Sequence, residues 1–181
     1  MAAQQTFFEE RFLTPTGEMR ILTDDGGRLR AADWDNHGDR QLARHYGENG
    51  FRIVESGPKT KSRERLEAYF AGDIGAIEAI ETRTGGTEFQ KAVWSALRRI
   101  PAGQTISYAG LAANIGHAAA VRAVGLANGA NPIVIVVPCH RVIGADGTLT
   151  GYGGGLDRKR WLLDHERAAE EGHREAALRR A

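Results

Sequence analysis

Among 181 residues there is one cysteine, Cys139. A lone thiol cannot close an internal disulfide, which excludes the stapled scaffolds of small secreted proteins and points to a reducing, cytoplasmic setting. No cysteine precedes residue 139, and His37 with His45 alone make a poor metal site, so no zinc and no other cofactor is expected. The chain has no apolar run of about 18 residues, the length that a membrane-spanning helix needs. Its N-terminus has no basic stretch followed by an apolar one, as a secretory signal would. Neither sign of charge prevails: 24 Lys and Arg stand against 23 Asp and Glu, a net charge of +1. The distribution is less even. Residues 1–86 carry 12 basic and 15 acidic side chains, whereas residues 87–181 carry 12 and 8, so any surface that meets phosphates belongs to the second part.

What is present suffices for one large or two small cores. In the first part, residues 7–13, 19–23 and 29–34 read as short strands, separated by the turn formers Pro15-Thr16-Gly17 and Asp24-Asp25-Gly26-Gly27. Residues 39–46 and 62–71 read as helices, the second with Leu66, Tyr69 and Phe70 on one stripe. The chain loosens at Thr84-Gly85-Gly86, which places a boundary there. Beyond it, Thr87 and Gln90 fit a capping box for a helix that buries Phe89, Val93, Leu97 and Ile100, and Pro101 stops it. Ser107 caps a short helix, Gly116 ends it, and a second short helix follows over residues 119–128, which together resemble a helix-turn-helix. Residues 133–137, all Ile or Val, predict a buried strand leading into Pro138-Cys139-His140-Arg141-Val142. Asp146-Gly147 predicts a hairpin turn, residues 151–155 a glycine loop, and Trp161, Leu162, Leu163 and Glu166 a last amphipathic helix. A helix-turn-helix followed by a hairpin is the layout of a winged DNA-binding domain.

Cys139 is the candidate nucleophile. A free thiol packs readily as a small buried hydrophobe, and it becomes reactive only where a nearby base or cation favours the thiolate. His140 follows it directly, but neighbours on a strand point to opposite faces, so the pair can cooperate only if the chain turns there. Pro138 and Gly144 allow such a turn, and Glu166 is a candidate to orient the histidine.

Pro138-Cys139-His140-Arg141-Val142-Ile143-Gly144, preceded by Asn131-Pro132, resembles the active-site signature of the O(6)-alkylguanine-DNA alkyltransferases, also called methylated-DNA–protein-cysteine methyltransferases. The likeness extends through Gly85-Gly86-Thr87-Glu88-Phe89-Gln90, Ile106-Ser107-Tyr108, Val121-Arg122-Ala123-Val124-Gly125, Thr150-Gly151-Tyr152 and Trp161-Leu162-Leu163-Asp164-His165-Glu166. Order and spacing agree from about residue 85 to residue 166. The first 84 residues are similar in layout, with Tyr69-Phe70-Ala71-Gly72 the best local match, and the whole chain most resembles the family's short constitutive bacterial branch, Ogt.

The resemblance implies an α+β fold: a ribonuclease H-like sheet-and-helix domain over residues 1–84, a winged helix-turn-helix domain over residues 85–168, and a tail over residues 169–181. It implies direct, single-turnover repair of O(6)-alkylguanine, and of O(4)-alkylthymine, in duplex DNA, by a monomer, with cooperation on DNA left open and no membrane involved. Cys139 would accept the alkyl group, His140 would reach it through a water, and Glu166 would hold His140. Tyr108 would donate to the departing guanine ring, and Asn131 would be the hinge between recognition helix and active-site segment. Arg122 would fill the stack left by the flipped base, on a helix whose Ala120, Ala123 and Gly125 allow close approach to the minor groove. The carbonyls of Cys139 and Val142 would read the exocyclic amine, with Tyr152, Gly153 and Gly154 around the guanine oxygen. Gly153 departs from the serine frequent in the family, which removes a side-chain contribution there and leaves room for bulkier groups. Two other readings compete: a winged-helix regulator, for which a helix of small residues is poorly suited, and a cysteine hydrolase, for which no oxyanion motif stands out.

Overall fold

A computed structural model of the chain describes residues 4–35, 37–47 and 50–180. The first part is a four-stranded sheet in the order β3-β2-β1-β4, made of β1 (Gln5–Thr14), β2 (Gly17–Thr23), β3 (Leu29–Asp33) and β4 (Phe51–Glu55). The strands β1, β2 and β3 form an antiparallel meander, and β4 returns parallel to β1. The turn before β2 needs Gly17, whose φ of 116° suits no L side chain. Alternation along the strands serves two faces. Phe7, Leu22 and Ala31 pack with Leu42 of α1 (His37–Tyr46), while Phe12, Met19, Ile21 and Ala32 face the main core with Leu66 and Tyr69 of α2 (Lys61–Phe70).

That main core does not stop at the boundary. It continues without a break into Val93, Trp94 and Leu97 of α3 (Glu88–Leu97), Leu111 of α4 (Tyr108–Asn114), Val124 of α5 (Val121–Gly129) and Leu162 of α6 (Leu156–Leu178). Thr87 and Gln90 form the expected capping box, and Ser107 accepts from the Gly110 N–H. Between α4 and α5 the chain turns at Gly116, with φ of 75°. The indole of Trp94 donates to the Ala127 carbonyl at 2.8 Å, locking α3 to α5.

The edge strand β3 is closed by two later segments, so its backbone is not left open. Leu29 exchanges backbone bonds with residues 81 and 83, and Ala32 with Pro132 and Val134, the latter pair at 3.0 Å each. The sheet thereby grips the chain just ahead of Cys139.

Residues 133–137 are not the strand that their β-branched run predicts. Only Ile133 forms a bridge, to Ala32, and the rest fold into a buried turn in which the Val137 N–H donates to the Ile133 carbonyl at 3.0 Å. A continuous apolar run signals burial, not conformation. All five side chains are buried here, and the backbone finds its partners inside the turn and on the Asn131 side chain. Ile135 has φ of 72°, costly for a β-branched residue, and packing on every side holds it there. The hairpin expected at Asp146-Gly147 is likewise only a tight turn, closed by the Gly144 N–H to Thr148 carbonyl bond at 2.8 Å. The strand before it, β6 (Val142–Ile143), pairs in parallel with β5 (Ile106–Ser107), directly ahead of Tyr108. The last helix is longer than expected and continues to Leu178, into the residues read as a tail. Among the described residues no helix is long and apolar enough to cross a membrane.

Because one core joins both parts, unfolding should be a single event. Leu162→Ala should cost about 3 kcal/mol, and in urea its tryptophan fluorescence and far-UV dichroism should fall in one coincident transition. Two separated transitions would show independently stable halves.

Candidate active site

Cys139 opens a short 3-10 turn, residues 139–141, immediately after the buried turn. Three bonds from Asn131 define the approach to it. Its carboxamide oxygen accepts from the Ile133 N–H at 3.0 Å, and its nitrogen donates to the Val137 carbonyl at 2.7 Å and to Cys139 Sγ at 3.1 Å. One side chain therefore ties both ends of the turn and touches the sulfur. Cys139 is only 5% exposed, yet it contributes to the wall of a cavity of about 80 Å³, together with Asn131, Trp34, Tyr152, Gly153 and Gly154.

The 3-10 turn sends His140 and Arg141 inward. His140 Nε2 pairs with Glu166 Oε1 at 2.8 Å, and Arg141 grips the same carboxylate with Nε at 2.9 Å and Nη2 at 2.8 Å. The Tyr69 hydroxyl donates to Oε1 at 2.8 Å, and the Gly103 N–H to Oε2 at 3.3 Å. Burial alone would raise the Glu166 carboxyl; His140 and Arg141 outweigh it and hold the acid far below the usual carboxylate range. Burial lowers His140, so its ring is neutral at neutral pH. With Nε2 bound to Glu166, the free lone pair lies on Nδ1, a buried atom without a hydrogen-bond partner in the structure.

Burial pushes the Cys139 thiol up to about 11, against the opposing pull of the Asn131 N–H and the Lys159 charge. Lys159 is fully buried, and its ammonium donates to the Val142 carbonyl at 2.6 Å and to the Thr150 carbonyl at 2.8 Å. It fixes the start of the glycine loop to the strand that follows Cys139. The far end of that loop is anchored by Arg158, which donates to the Gly154 carbonyl at 2.9 Å and to the Thr16 carbonyl at 2.8 Å and lies over the Trp34 ring. A side chain on Gly154 would meet Trp34 and Tyr152 at 2.9 Å, whereas Gly153 has open space.

The chain is similar to known proteins. The family model for the 6-O-methylguanine DNA methyltransferase DNA-binding domain matches residues 88–168. The methylated-DNA–protein-cysteine methyltransferase of Salmonella typhimurium (strain LT2) is 52% identical over 161 residues, covering 87% of this chain and 94% of its own. The protein of the same name from Shigella flexneri is 47% identical over the same shares. This chain belongs to the methylated-DNA–protein-cysteine methyltransferases. The crystal structure of Mycobacterium tuberculosis OGT in complex with DNA is similar with a TM-score of 0.71 at 40% identity, covering 92% of this chain and 94% of that one. The O6-methylguanine-DNA methyltransferase of the archaeon Pyrococcus kodakaraensis follows with 0.64 at 28% identity, covering 90% and 99%.

Of the residues singled out from sequence, the structure brings Cys139, Asn131, His140 and Glu166 into one buried group and puts Tyr152, Gly153 and Gly154 on the cavity. Val142 is adjacent and buried, its carbonyl held by Lys159. Tyr108 stands apart from the cavity lining, half-buried, with its ring against Gly125 on α5. Arg122 and Ala123 are exposed on α5, and Ala120 lies half-buried at its start. Sequence reasoning missed Lys159, Arg141, Tyr69 and the cavity's wall from β3. A signal for Lys159 was available: Lys159, Leu162, Leu163 and Glu166 follow helical spacing on one face, which puts both charged residues on the stripe that faces the core.

Below its raised pKa, the thiolate fraction of Cys139 grows tenfold with each pH unit. Its alkylation by iodoacetamide should therefore climb about tenfold per unit from about pH 7 to about pH 9 without levelling. A plateau near the value of an ordinary free thiol would contradict the buried setting. Glu166→Gln should leave Arg141 buried without its counter-charge and cost about 3–5 kcal/mol in denaturant unfolding. An unchanged midpoint would mean that the carboxylate is not the anchor described.

Proposed function

We propose that this chain repairs alkylated DNA directly, moving an alkyl group from O6 of guanine, and from O4 of thymine, in duplex DNA onto Cys139, once per molecule. The observation that carries this reading is one sulfur held by Asn131 on a cavity wall beside a buried histidine–carboxylate pair, in a member of this family.

The chemistry is an in-line displacement. Bond formation between Sγ and the alkyl carbon accompanies cleavage of the carbon–O6 bond, and the electron pair leaves with guanine. In our reading the thiol proton passes through a water to His140 Nδ1, and the ionised Glu166 stabilises the imidazolium that results. Tyr108 donates a hydrogen bond toward the departing ring, where negative charge develops. The carbonyls of Cys139 and Val142 accept from the exocyclic amine, and backbone N–H groups around Tyr152, Gly153 and Gly154 face the guanine oxygen. The thioether has no second thiol to remove it, which makes the reaction stoichiometric.

A base inside a duplex is out of reach and must be flipped, at a cost of a few kcal/mol. Arg122 is the proposed side chain that takes its place. It is exposed on α5 and takes part in none of the ion pairs among the described residues, and Ala120, Ala123 and Gly125 let the helix lie close to the minor groove. Tyr108 and Arg122 share the α4–α5 pair, so one docking event would serve both. We read residues 85–168 as a winged helix-turn-helix domain, supported by α4, the Gly116 turn and α5. We read residues 1–84 as ribonuclease H-like, supported by the order β3-β2-β1-β4 with only β4 parallel. We read residues 169–181 as a tail, into which α6 runs as far as Leu178. All the proposed groups come from one chain, so a monomer is the working unit.

Incubation with duplex DNA carrying a methylated guanine should add one methyl group per chain, located on Cys139 by peptide mass spectrometry, and Cys139→Ala should acquire none. Loss of the methyl from DNA with no adduct on the protein would overturn the assignment.

A further inference from the structure

The cavity beside Cys139 has a polar side that the methyl reaction does not use. Four of the residues lining it, Asp33, His37, Asn128 and Tyr152, each carry a buried side-chain atom with no hydrogen-bond partner among the described residues: Asp33 Oδ1, His37 Nε2, Asn128 Oδ1 and the Tyr152 hydroxyl. Buried polar groups almost always find a partner, in the protein, in a water or in a ligand, so a cluster of them left open by the protein's own groups is a place where something polar can bind. Four on one cavity, from three separate parts of the chain, are a built feature. Asp33 ends β3 and His37 begins α1, so the sheet domain supplies half of it; Asn128 comes from α5 and Tyr152 from the glycine loop.

The chemistry of the set can be read atom by atom. His37 Nδ1 lies 3.2 Å from Arg40 Nη2, which can only donate, so the neutral ring carries its proton on Nε2, a donor on a residue that lines the cavity. Burial lowers His37 and keeps that ring neutral. Asp33 Oδ2 is occupied by the Gly38 N–H at 2.7 Å, which leaves Oδ1 as the atom without a partner. Burial pushes the Asp33 carboxyl up to about 7, so the group is poorly solvated. Asn128 Oδ1 is an acceptor, and the Tyr152 hydroxyl can do either. With its carboxyl at about 7, Asp33 accepts when ionised and can donate when protonated. A group that both donates and accepts pairs with this set in either form, whereas a hydrocarbon leaves all of it unpaired.

We propose that Asp33, His37, Asn128 and the Tyr152 hydroxyl form a subsite for the hydroxyl of a functionalised alkyl lesion, such as a 2-hydroxyethyl group on guanine O6. The inference rests on the repair reading above. The bond made is still Sγ to the carbon attached to O6, and the bond broken is still that carbon to O6. The hydroxyl-bearing end of the group stays intact in the subsite. A methyl group has no such end and gains nothing from it.

The test compares single-turnover transfer from duplexes carrying O6-(2-hydroxyethyl)guanine and O6-propylguanine, which are nearly equal in size, with O6-methylguanine as the reference. The wild-type protein should take the hydroxyethyl group about tenfold faster than the propyl group, because a site built for a hydroxyl penalises the analogue that lacks it. His37→Phe and Asn128→Leu should bring the two rates together while methyl transfer persists. Equal rates in the wild-type protein, or a preference that survives in both variants, would overturn the subsite. Absence of methyl transfer by the wild-type protein would instead overturn the repair reading on which it rests.

Discussion

The carboxylate of Glu166 holds together parts of the chain that are far apart in sequence. His140 and Arg141 reach it from the turn that bears the sulfur, Tyr69 from α2 and Gly103 from the connection after α3. A carboxylate without solvent is tolerable only when its lone pairs are filled and its charge is met, and here both conditions hold. Arg141 supplies the charge, and its third nitrogen binds the Ile100 carbonyl at 2.5 Å. The consequence for chemistry is indirect but decisive. With Arg141 neutralising the acid, His140 is free to stay uncharged, and its Nδ1 is left without a partner among the described residues, as the proposed proton transfer requires.

The sulfur is kept in a low-energy, protonated state by the same burial that makes its surroundings rigid. Such a thiol is safe from adventitious oxidants and metals, which attack thiolates at exposed sites. It is useful only when an alkyl carbon is delivered in line and a proton route is at hand. That combination suits a protein that reacts once. Binding energy from DNA would go into flipping and orientation, and the protein would not need a permanently ionised nucleophile.

Much of the fold was legible from local signals. The strands of the meander follow turn glycines and alternation, and the caps at Thr87 and Ser107 are where side-chain spacing puts them. These features depend on residues within one turn of each other, which is why they can be read along the chain. The run at residues 133–137 shows where such reading fails. Five β-branched residues carry a strong strand preference, but preference is overridden where pairing with β3 reaches no further than Val134 and Asn131 offers the backbone other bonds. Lys159, Tyr69 and Arg141 were missed as members of the site because their roles are set by carbonyls and a carboxylate that only folding brings within reach.

By itself the sequence determined the family and left one candidate for the nucleophile. There is one thiol, it stands in a distinctive run with histidine and arginine, and the order of the flanking motifs admits few other readings. Only the tertiary structure decided how that thiol is held. Burial, the Asn131 contact and the shared Glu166 carboxylate arise from segments tens of residues apart. Likewise, the cavity wall from β3 exists because backbone pairing between Ala32 and residues 132–134 brings the sheet against the active-site turn. Side-chain type is written locally, whereas solvation and proximity are properties of the whole packed chain.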